Sequence, residues 1–245
     1  MFKVGLGTLL ALGAVGTASA AVNCNTFPNN VVSGFVNDDV EAFGYTCTIA
    51  ANGSVNGNLL QSGDGGLVIR GTVNGGVNED GAGDVIIARG AIVGGDVSEA
   101  DAGNVSIRGG SSLSGVIEES GDGSVNATVD VPGLVKGNIY ENGNGGVTVN
   151  SASGSYEGDV SESGPGSVSV TVEFGVSFKG GIDENDGGSV TALVNGFFEG
   201  NIAEHLGGNV ATSGAGTFKG NSEQQLPGTC TNTIANFEGS ACASI

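Results

Sequence analysis

The sequence predicts an all-β fold, a single parallel β-solenoid, and three observations lead to this prediction. Glycine accounts for 48 of the 245 residues, yet apolar residues recur at regular places between the glycines. A glycine-centred unit returns after roughly 20 residues, and such repeats are typical of solenoids. Within each unit apolar and polar residues alternate with a period of two, which is the period of a β-strand. One unit is therefore one coil, whose apolar positions are buried only when coils stack.

The repeat is numbered from one glycine, position zero, which stands at Gly57, Gly75, Gly95, Gly115, Gly137, Gly158, Gly180, Gly200, Gly220 and Gly239. Position −2 is a large apolar residue throughout: Val55, Val73, Val93, Leu113, Val135, Tyr156, Phe178, Phe198, Phe218 and Phe237. Position +2 is Leu, Val or Ile until Ser222, and position +10 begins a second inward strand. Position +8 is always glycine, where we expect a left-handed turn.

The organisation along the chain follows from this numbering. We predict a secretory signal peptide over 1–20, an N-terminal cap and degenerate first coil over 21–54, solenoid repeats over 55–228 and a C-terminal capping coil over 229–245. Counted from Asn37, the first coil has Phe35 at −2, Glu41 at +4 and Cys47 at +10. All length variation falls after position +10, which favours a right-handed β-helix of about ten coils.

The two ends predict an exported protein. Residues 1–20 combine Lys3, a short apolar run and the small residues before Ala21, which is the pattern of a cleaved signal peptide. The mature protein is therefore expected to be secreted, extracellular or on the cell surface, with the periplasm as an alternative. Cysteines in such a protein form disulfides, and chain proximity favours Cys24–Cys47 and Cys230–Cys242 among the three pairings.

The charge balance limits the partners. The chain has 26 acidic residues against seven basic ones, a net charge of −19. Without a basic patch we expect no binding to nucleic acid. Beyond the first residues no apolar segment is long enough to insert in a membrane.

Position −1 tests the stacking independently of the core. From the fifth repeat onward it alternates in sign: Lys136, Glu157, Lys179, Glu199, Lys219 and Glu238. Equivalent residues of stacked parallel strands lie ~4.8 Å apart. Each charge would then neighbour opposite charges, and a slip of one coil would place like charges together.

Position +4 is the candidate site. It holds glutamine at both ends, Gln61 and Gln224, and glutamate in the seven repeats between: Glu79, Glu99, Glu119, Glu141, Glu162, Glu184 and Glu204. Neighbouring charges at ~4.8 Å repel by about 1 kcal/mol even in water. One interpretation is a Ca²⁺ site completed by Asp80, Asp101, Asp122 and Asn142, since Ca²⁺ takes several oxygen ligands. The other is structural, with each glutamate accepting N–H groups of the glycine turn.

The remaining polar residues predict no enzyme. The single histidine, His205, has no companion set of a known catalytic motif, and its predicted place is on the surface. Polysaccharide-active β-helices carry an irregular acidic cluster, whereas these acids are periodic. Arg70, Arg89 and Arg108 form a predicted short ladder that could bind an acidic glycan or neutralise neighbouring acids.

The recurring phrases "GDV", "GNI" and V-x-G over residues 55–228 resemble those of bactofilin-type polymer-forming proteins and of filamentous-haemagglutinin-type surface repeats. The resemblance implies end-to-end polymerisation of rods, and it transfers no site residues. We expect self-association, either end to end or side by side. Bactofilins lack the signal peptide and disulfides predicted here. We expect a structural filament, matrix or adhesin-like module, with a calcium-dependent or glycan-binding cell-surface module as the alternative and a polysaccharide-active enzyme as a weaker one.

Overall fold

The structure, a computed structural model, describes residues 21–130 and 133–244 and is a parallel β-solenoid of about 11 turns with ~20 residues each. This confirms the predicted fold class. The predicted signal peptide lies outside the described residues. Two short 3-10 helices, Cys24–Thr26 and Pro28–Asn30, precede the regular coils. Within the described ranges, no helix is long and apolar enough to cross a membrane.

Each coil contributes strands to three columns that run along the solenoid axis. Column A contains positions +2 to +4, and its strands form one 12-stranded sheet. Its members are Val22–Asn23, Val40–Phe43, Leu59–Ser62, Val77–Asp80, Val97–Glu99, Ile117–Glu119, Ile139–Glu141, Val160–Glu162, Ile182–Glu184, Ile202–Glu204, Ser222–Gln224 and Ala243–Ser244.

Columns B and C belong to one 20-stranded sheet. Column B starts at position +10 and comprises Val31–Val32, Cys47–Ile49, Leu67–Ile69, Val85–Ile87, Val105–Ile107, Val125–Val129, Val147–Ser151, Val168–Val172 and Val190–Val194. Column C surrounds position −2 and comprises Phe35–Val36, Ser54–Val55, Thr72–Val73, Ile92–Val93, Ser112–Leu113, Leu134–Lys136, Ser155–Glu157, Ser177–Lys179 and Phe197–Glu199. In the last two coils the columns merge in Val210–Lys219 and Cys230–Glu238.

The core is a continuous set of inward side chains from every coil. Positions −2, +2 and +10 are buried as the period of two predicts, and position +12 adds residues such as Ile69 and Ile87. Successive strands pair residue for residue, as in Val77 with Val97. From Val125–Val129 onward column B has five residues instead of three, which adds an inward position +14. The later coils therefore have a wider core.

The predicted numbering of the first coil is wrong by one residue. Val36, not Phe35, pairs with Val55, and Ala42, not Glu41, pairs with Gln61. Phe35 is 69% exposed, because a shift of one residue along a strand turns its side chain to the other face. Cys47 does pair with Leu67 at the +10 site. The turn before Cys47 is one residue shorter than in the next coil, which hides the shift in the sequence.

The ends of the solenoid are closed by the two predicted disulfides, Cys24–Cys47 and Cys230–Cys242. The first links an additional N-terminal coil, in which Val22 pairs with Val40, to the coil that follows. Both of its cysteines are fully buried, whereas Cys230 is only partly buried against the core of the terminal coils. Two such disulfides indicate that the chain folds in an oxidising compartment.

Candidate functional site

The glutamates of position +4 lie inside the solenoid. Positions +2 and +4 of a column A strand share one face, so Ile117 and Glu119 point inward while Glu118 points outward. The glutamate column is defined here as the seven +4 glutamates, each of which is 0% exposed: Glu79, Glu99, Glu119, Glu141, Glu162, Glu184 and Glu204. Of the two interpretations of the sequence, the calcium site requires these carboxyls to be open to cations, whereas the structural one requires only contact with the glycine turn. The same period of two could have placed them in the core.

One carboxyl oxygen of each central glutamate binds the turn that follows its own strand. Oε1 of Glu119 accepts the backbone N–H groups of Gly121 at 2.9 Å and Gly123 at 3.1 Å. Oε1 of Glu162 accepts those of Gly164 and Gly166 at 2.8 and 3.2 Å. Glu99, Glu141 and Glu184 repeat the pattern. These are the contacts that the structural interpretation predicts.

Glycine is required at position +8 for a reason other than the predicted left-handed turn. None of the +8 glycines has a positive φ; that backbone appears instead at position zero from Gly137 onward, where φ is 139°. The reason at +8 is close approach between coils. A Cβ on Gly123 would lie 1.5 Å from the carbonyl oxygen of Gly103, so only glycine lets the turns stack. The stacked turns in turn fix the N–H groups that hold the carboxyls.

The second carboxyl oxygen faces the neighbouring coils. Oε2 of every glutamate in the column is enclosed and accepts no hydrogen bond from an N–H or O–H group of the described residues. Glu99 instead lies within hydrogen-bonding reach of Glu79 and Glu119, and Glu162 within reach of Glu141 and Glu184. Two carboxylates cannot bond each other, because each is only an acceptor until one binds a proton.

Burial raises the pKa values of four glutamates of the column above the ordinary value of 4.5. Desolvation raises the pKa of Glu79 to about 7 and those of Glu99 and Glu162 to about 8, and it also raises the pKa of Glu141. The turn N–H groups act in the opposite direction, because they favour the charged form. Since the groups are adjacent, the protons belong to the column rather than to single residues. At neutral pH the coils of Glu79, Glu99 and Glu162 therefore hold protons in the column.

Neutral amides close the column at both ends. Gln61 and Gln224 are each 2% exposed and pair in register with Glu79 and Glu204. Nε2 of Gln61 donates to the carbonyl oxygens of Ser62 and Gly63, each at 3.1 Å. An amide thus fills the same inward site without a charge.

The structure does not bring the predicted calcium ligands together. Asp80, Asp101, Asp122 and Asn142 are exposed, whereas the glutamates point into the core. In the described part of the chain, no group of three or more His, Cys, Asp or Glu residues could hold a metal ion. The calcium site stays a prediction, and the geometry favours the structural interpretation.

The charge ladder at position −1 lies on the outer face of column C. Lys136 pairs in register with Glu157, Glu157 with Lys179, and the alternation continues to Glu238. Nζ of Lys136 lies 3.1 Å from Glu157, and Nζ of Lys219 lies 3.1 Å from Glu199. The predicted coil-by-coil alternation is confirmed.

The predicted arginine ladder is broken. Ile69, Ile87 and Ile107 are in register, and the residues that follow them are Arg70, Ala88 and Arg108. Arg89 stands at position +14 of its coil, whereas Arg70 and Arg108 stand at position +13, where the coil of Arg89 has Ala88 instead. The three exposed arginines therefore do not form a column.

His205 is on the surface, as predicted, and its Nε2 lies 2.8 Å from Oδ1 of Asp183. Both residues line an open groove of about 550 Å³ on the outer face of column A. Tyr140, Asp159 and Glu223 also line this groove. It is the one place where the outer face of column A carries both an aromatic and a histidine side chain among the described residues.

Comparison of the chain with protein-family models, with curated proteins and with solved structures finds no match in any of the three. The resemblance to bactofilin-type and haemagglutinin-type repeats is therefore supported at the level of the β-solenoid fold alone.

Proposed function

We propose that the protein is an exported structural rod that acts as a filament subunit, matrix component or cell-surface module. The observation that carries this proposal is the unbroken register of column A, whose 12 strands pair in succession. Eleven turns spaced by ~4.8 Å give a rod about 50 Å long. Disulfides at both ends support a role that requires a persistent shape, because terminal coils are where a solenoid frays.

The regularity of the coils also supports a role without catalysis. The largest set of buried polar groups is the glutamate column, and its carboxyls are enclosed and out of reach of a substrate. An active site breaks the local rules of a fold, whereas each coil here repeats its neighbour. We therefore propose that the protein is not an enzyme.

The C-terminal end supports self-association. Among the described residues, Cys230–Glu238 pairs along columns B and C only with Val210–Lys219, so its other edge carries free backbone groups. An edge strand of nine residues is a template for another chain. Phe237 stacks on Phe218 with ring centroids 4.6 Å apart, and it is only partly buried. We propose that a second copy continues the stack from this edge.

Negative-stain microscopy of the secreted protein tests this function. We expect polymers many times longer than one rod, and we expect Phe237→Asp to shorten them because it places a charge on the terminal edge. Phe174→Asp is the matched control, since Phe174 is 70% exposed away from that edge. Single rods at every protein concentration contradict the filament proposal.

A second candidate is a glycan-binding surface module, and the groove around Tyr140 favours it. An aromatic ring beside carboxylate acceptors in an open concave site suits a sugar, whose hydroxyl groups need acceptors and whose ring needs an apolar contact. A glycan array comparing the wild type with Tyr140→Ala tests it. We expect signals that the substitution abolishes; equal signals from both proteins contradict this candidate.

A further inference from the structure

We propose that the glutamate column is a proton-binding site, in which shared protons join the carboxyls of successive coils between Gln61 and Gln224, and that proton release at alkaline pH loosens the stacked coils. The ligand is the proton itself. The proposal concerns the inside of the rod and does not depend on what the rod does outside the cell.

The two oxygens of each central carboxyl group in the column have different surroundings. In Glu119, Oε1 accepts two backbone N–H groups, while Oε2 is enclosed without a donor. An enclosed acceptor without a partner is costly, and it is costlier when charged. A proton on one carboxyl turns each inter-coil contact from a repulsion into a hydrogen bond. The same inequality recurs in five consecutive coils, from Glu99 to Glu184.

The groups that face the column also favour protons as its ligand. The groups that act on Glu79, Glu99, Glu141 and Glu162 are turn N–H groups and adjacent glutamates, with Asp80 repelling Glu79. None of them is a lysine or arginine. The inward neighbours at position +2 are apolar, as in Ile117 and Ile139. The main influences on these four carboxyls therefore include no cationic side chain, which favours protons as the groups that neutralise them.

The direction of the pH effect follows from linkage. The pKa values of about 7 and about 8 in the folded state exceed the ordinary 4.5 of an unfolded glutamate. The folded state therefore binds more protons between these values. The stability that these glutamates contribute is fully present at low pH, and it is lost as the pH rises through about 7 to 8. Carboxyls paired with cations act in the opposite direction and at lower pH, because their stabilising effect is lost as the pH falls through their depressed pKa values.

Equilibrium unfolding by denaturant at a series of pH values counts these protons. Between pH 5 and 7 the slope of the logarithm of the unfolding constant against pH equals the number of protons released on unfolding. We expect a slope well above one for the wild type. Glu99→Gln should lower the slope by about one, whereas Glu118→Gln, which changes an exposed neighbour, should leave it unchanged. A wild-type slope near zero, or a slope that Glu99→Gln does not change, overturns the proposal.

A second variant keeps the test informative if Glu99→Gln fails to fold. Glu79→Gln extends the amide end of the column by one coil from Gln61, so the chain itself shows that the change fits. It should also lower the slope by about one. Repeating the titration with Ca²⁺ and with a chelator separates protons from metal ions: stability that rises with pH and falls on chelation shows a metal-filled column and overturns the proposal.

Discussion

The early and late coils of the solenoid differ in columns B and C, whereas column A, which carries the glutamates, is the same in both. In the early coils position −2 is Val or Leu and column B has three residues, as in Leu67–Ile69. In the later coils position −2 becomes a stack of aromatic rings with centroids 4.6 to 4.9 Å apart, and column B has five residues. The stack contains Tyr156, Phe178, Phe198, Phe218 and Phe237.

Column B changes in length between the early and the late coils, whereas the glutamate column does not change. Column B lengthens at Val125–Val129, one coil before the first ring, Tyr156, follows Val147–Ser151. The glutamate column keeps the same spacing, turn and hydrogen bonds in Glu99 of the early coils and Glu184 of the later ones. The carboxyls are therefore fixed by the glycine turn, independently of core size.

The largest loss of stability is expected from disrupting the stacked glycine turns, which the early and the late coils share. Gly145→Ala places a Cβ 1.4 Å from the carbonyl oxygen of Gly123, so the stacked turns must separate. We expect a loss of about 4–5 kcal/mol in unfolding free energy, the size of the most severe single substitutions. Gly34→Ala is the control, because no atom lies within 4 Å of its Cβ position. Equal denaturation midpoints for the two variants contradict the close-approach explanation.

The next effect distinguishes the two halves at position −2. Phe198→Ala removes a fully buried ring between two others and should cost about 3–5 kcal/mol. Val93→Ala at the equivalent early position should cost about 2 kcal/mol, because fewer buried methyl groups are lost. Denaturant unfolding of both variants measures the difference. Similar losses show that the aromatic stack adds nothing to the later coils.

The smallest effect is expected on the outer face. Lys219→Met removes the ion pair with Glu199, whose side chains are about half exposed, and should cost roughly 0.2–1 kcal/mol. The cost should shrink further in high salt, because surface charges are screened. If Lys219→Met cost as much stability as Phe198→Ala at the same salt concentration, the ion pair would do more than fix the register of the coils.

The sequence predicts the fold because equivalent positions of successive repeats show which residues pair between neighbouring coils. The period of two, the constant spacing from −2 to +10 and the alternating charges all depend on equivalent residues meeting in space, so each checks the others. The numbering of the first coil fails because a single-residue change in the length of the turn before Cys47 leaves no mark on the apolar pattern. Val36 and Phe35 are both apolar, and only their partners reveal which one is inside.

The burial of the glutamates could be predicted only in part. The period of two places Glu141 on the same face as Ile139, but the cost of a buried charge argues against such a site. What resolves the conflict is a tertiary arrangement, the stacked turns with their N–H groups and the neighbouring carboxyls. Neither is visible in one repeat taken alone.

The most direct test of this account is the infrared spectrum of the folded protein near pH 7. Protonated carboxyl groups absorb apart from carboxylates, and labelling glutamate with ¹³C shows whether a band comes from glutamate or from aspartate. We predict a protonated glutamate band at neutral pH that fades as the pH rises through about 8 and is absent when the seven column glutamates are replaced by glutamine. A spectrum with carboxylate bands alone at pH 7 contradicts the account.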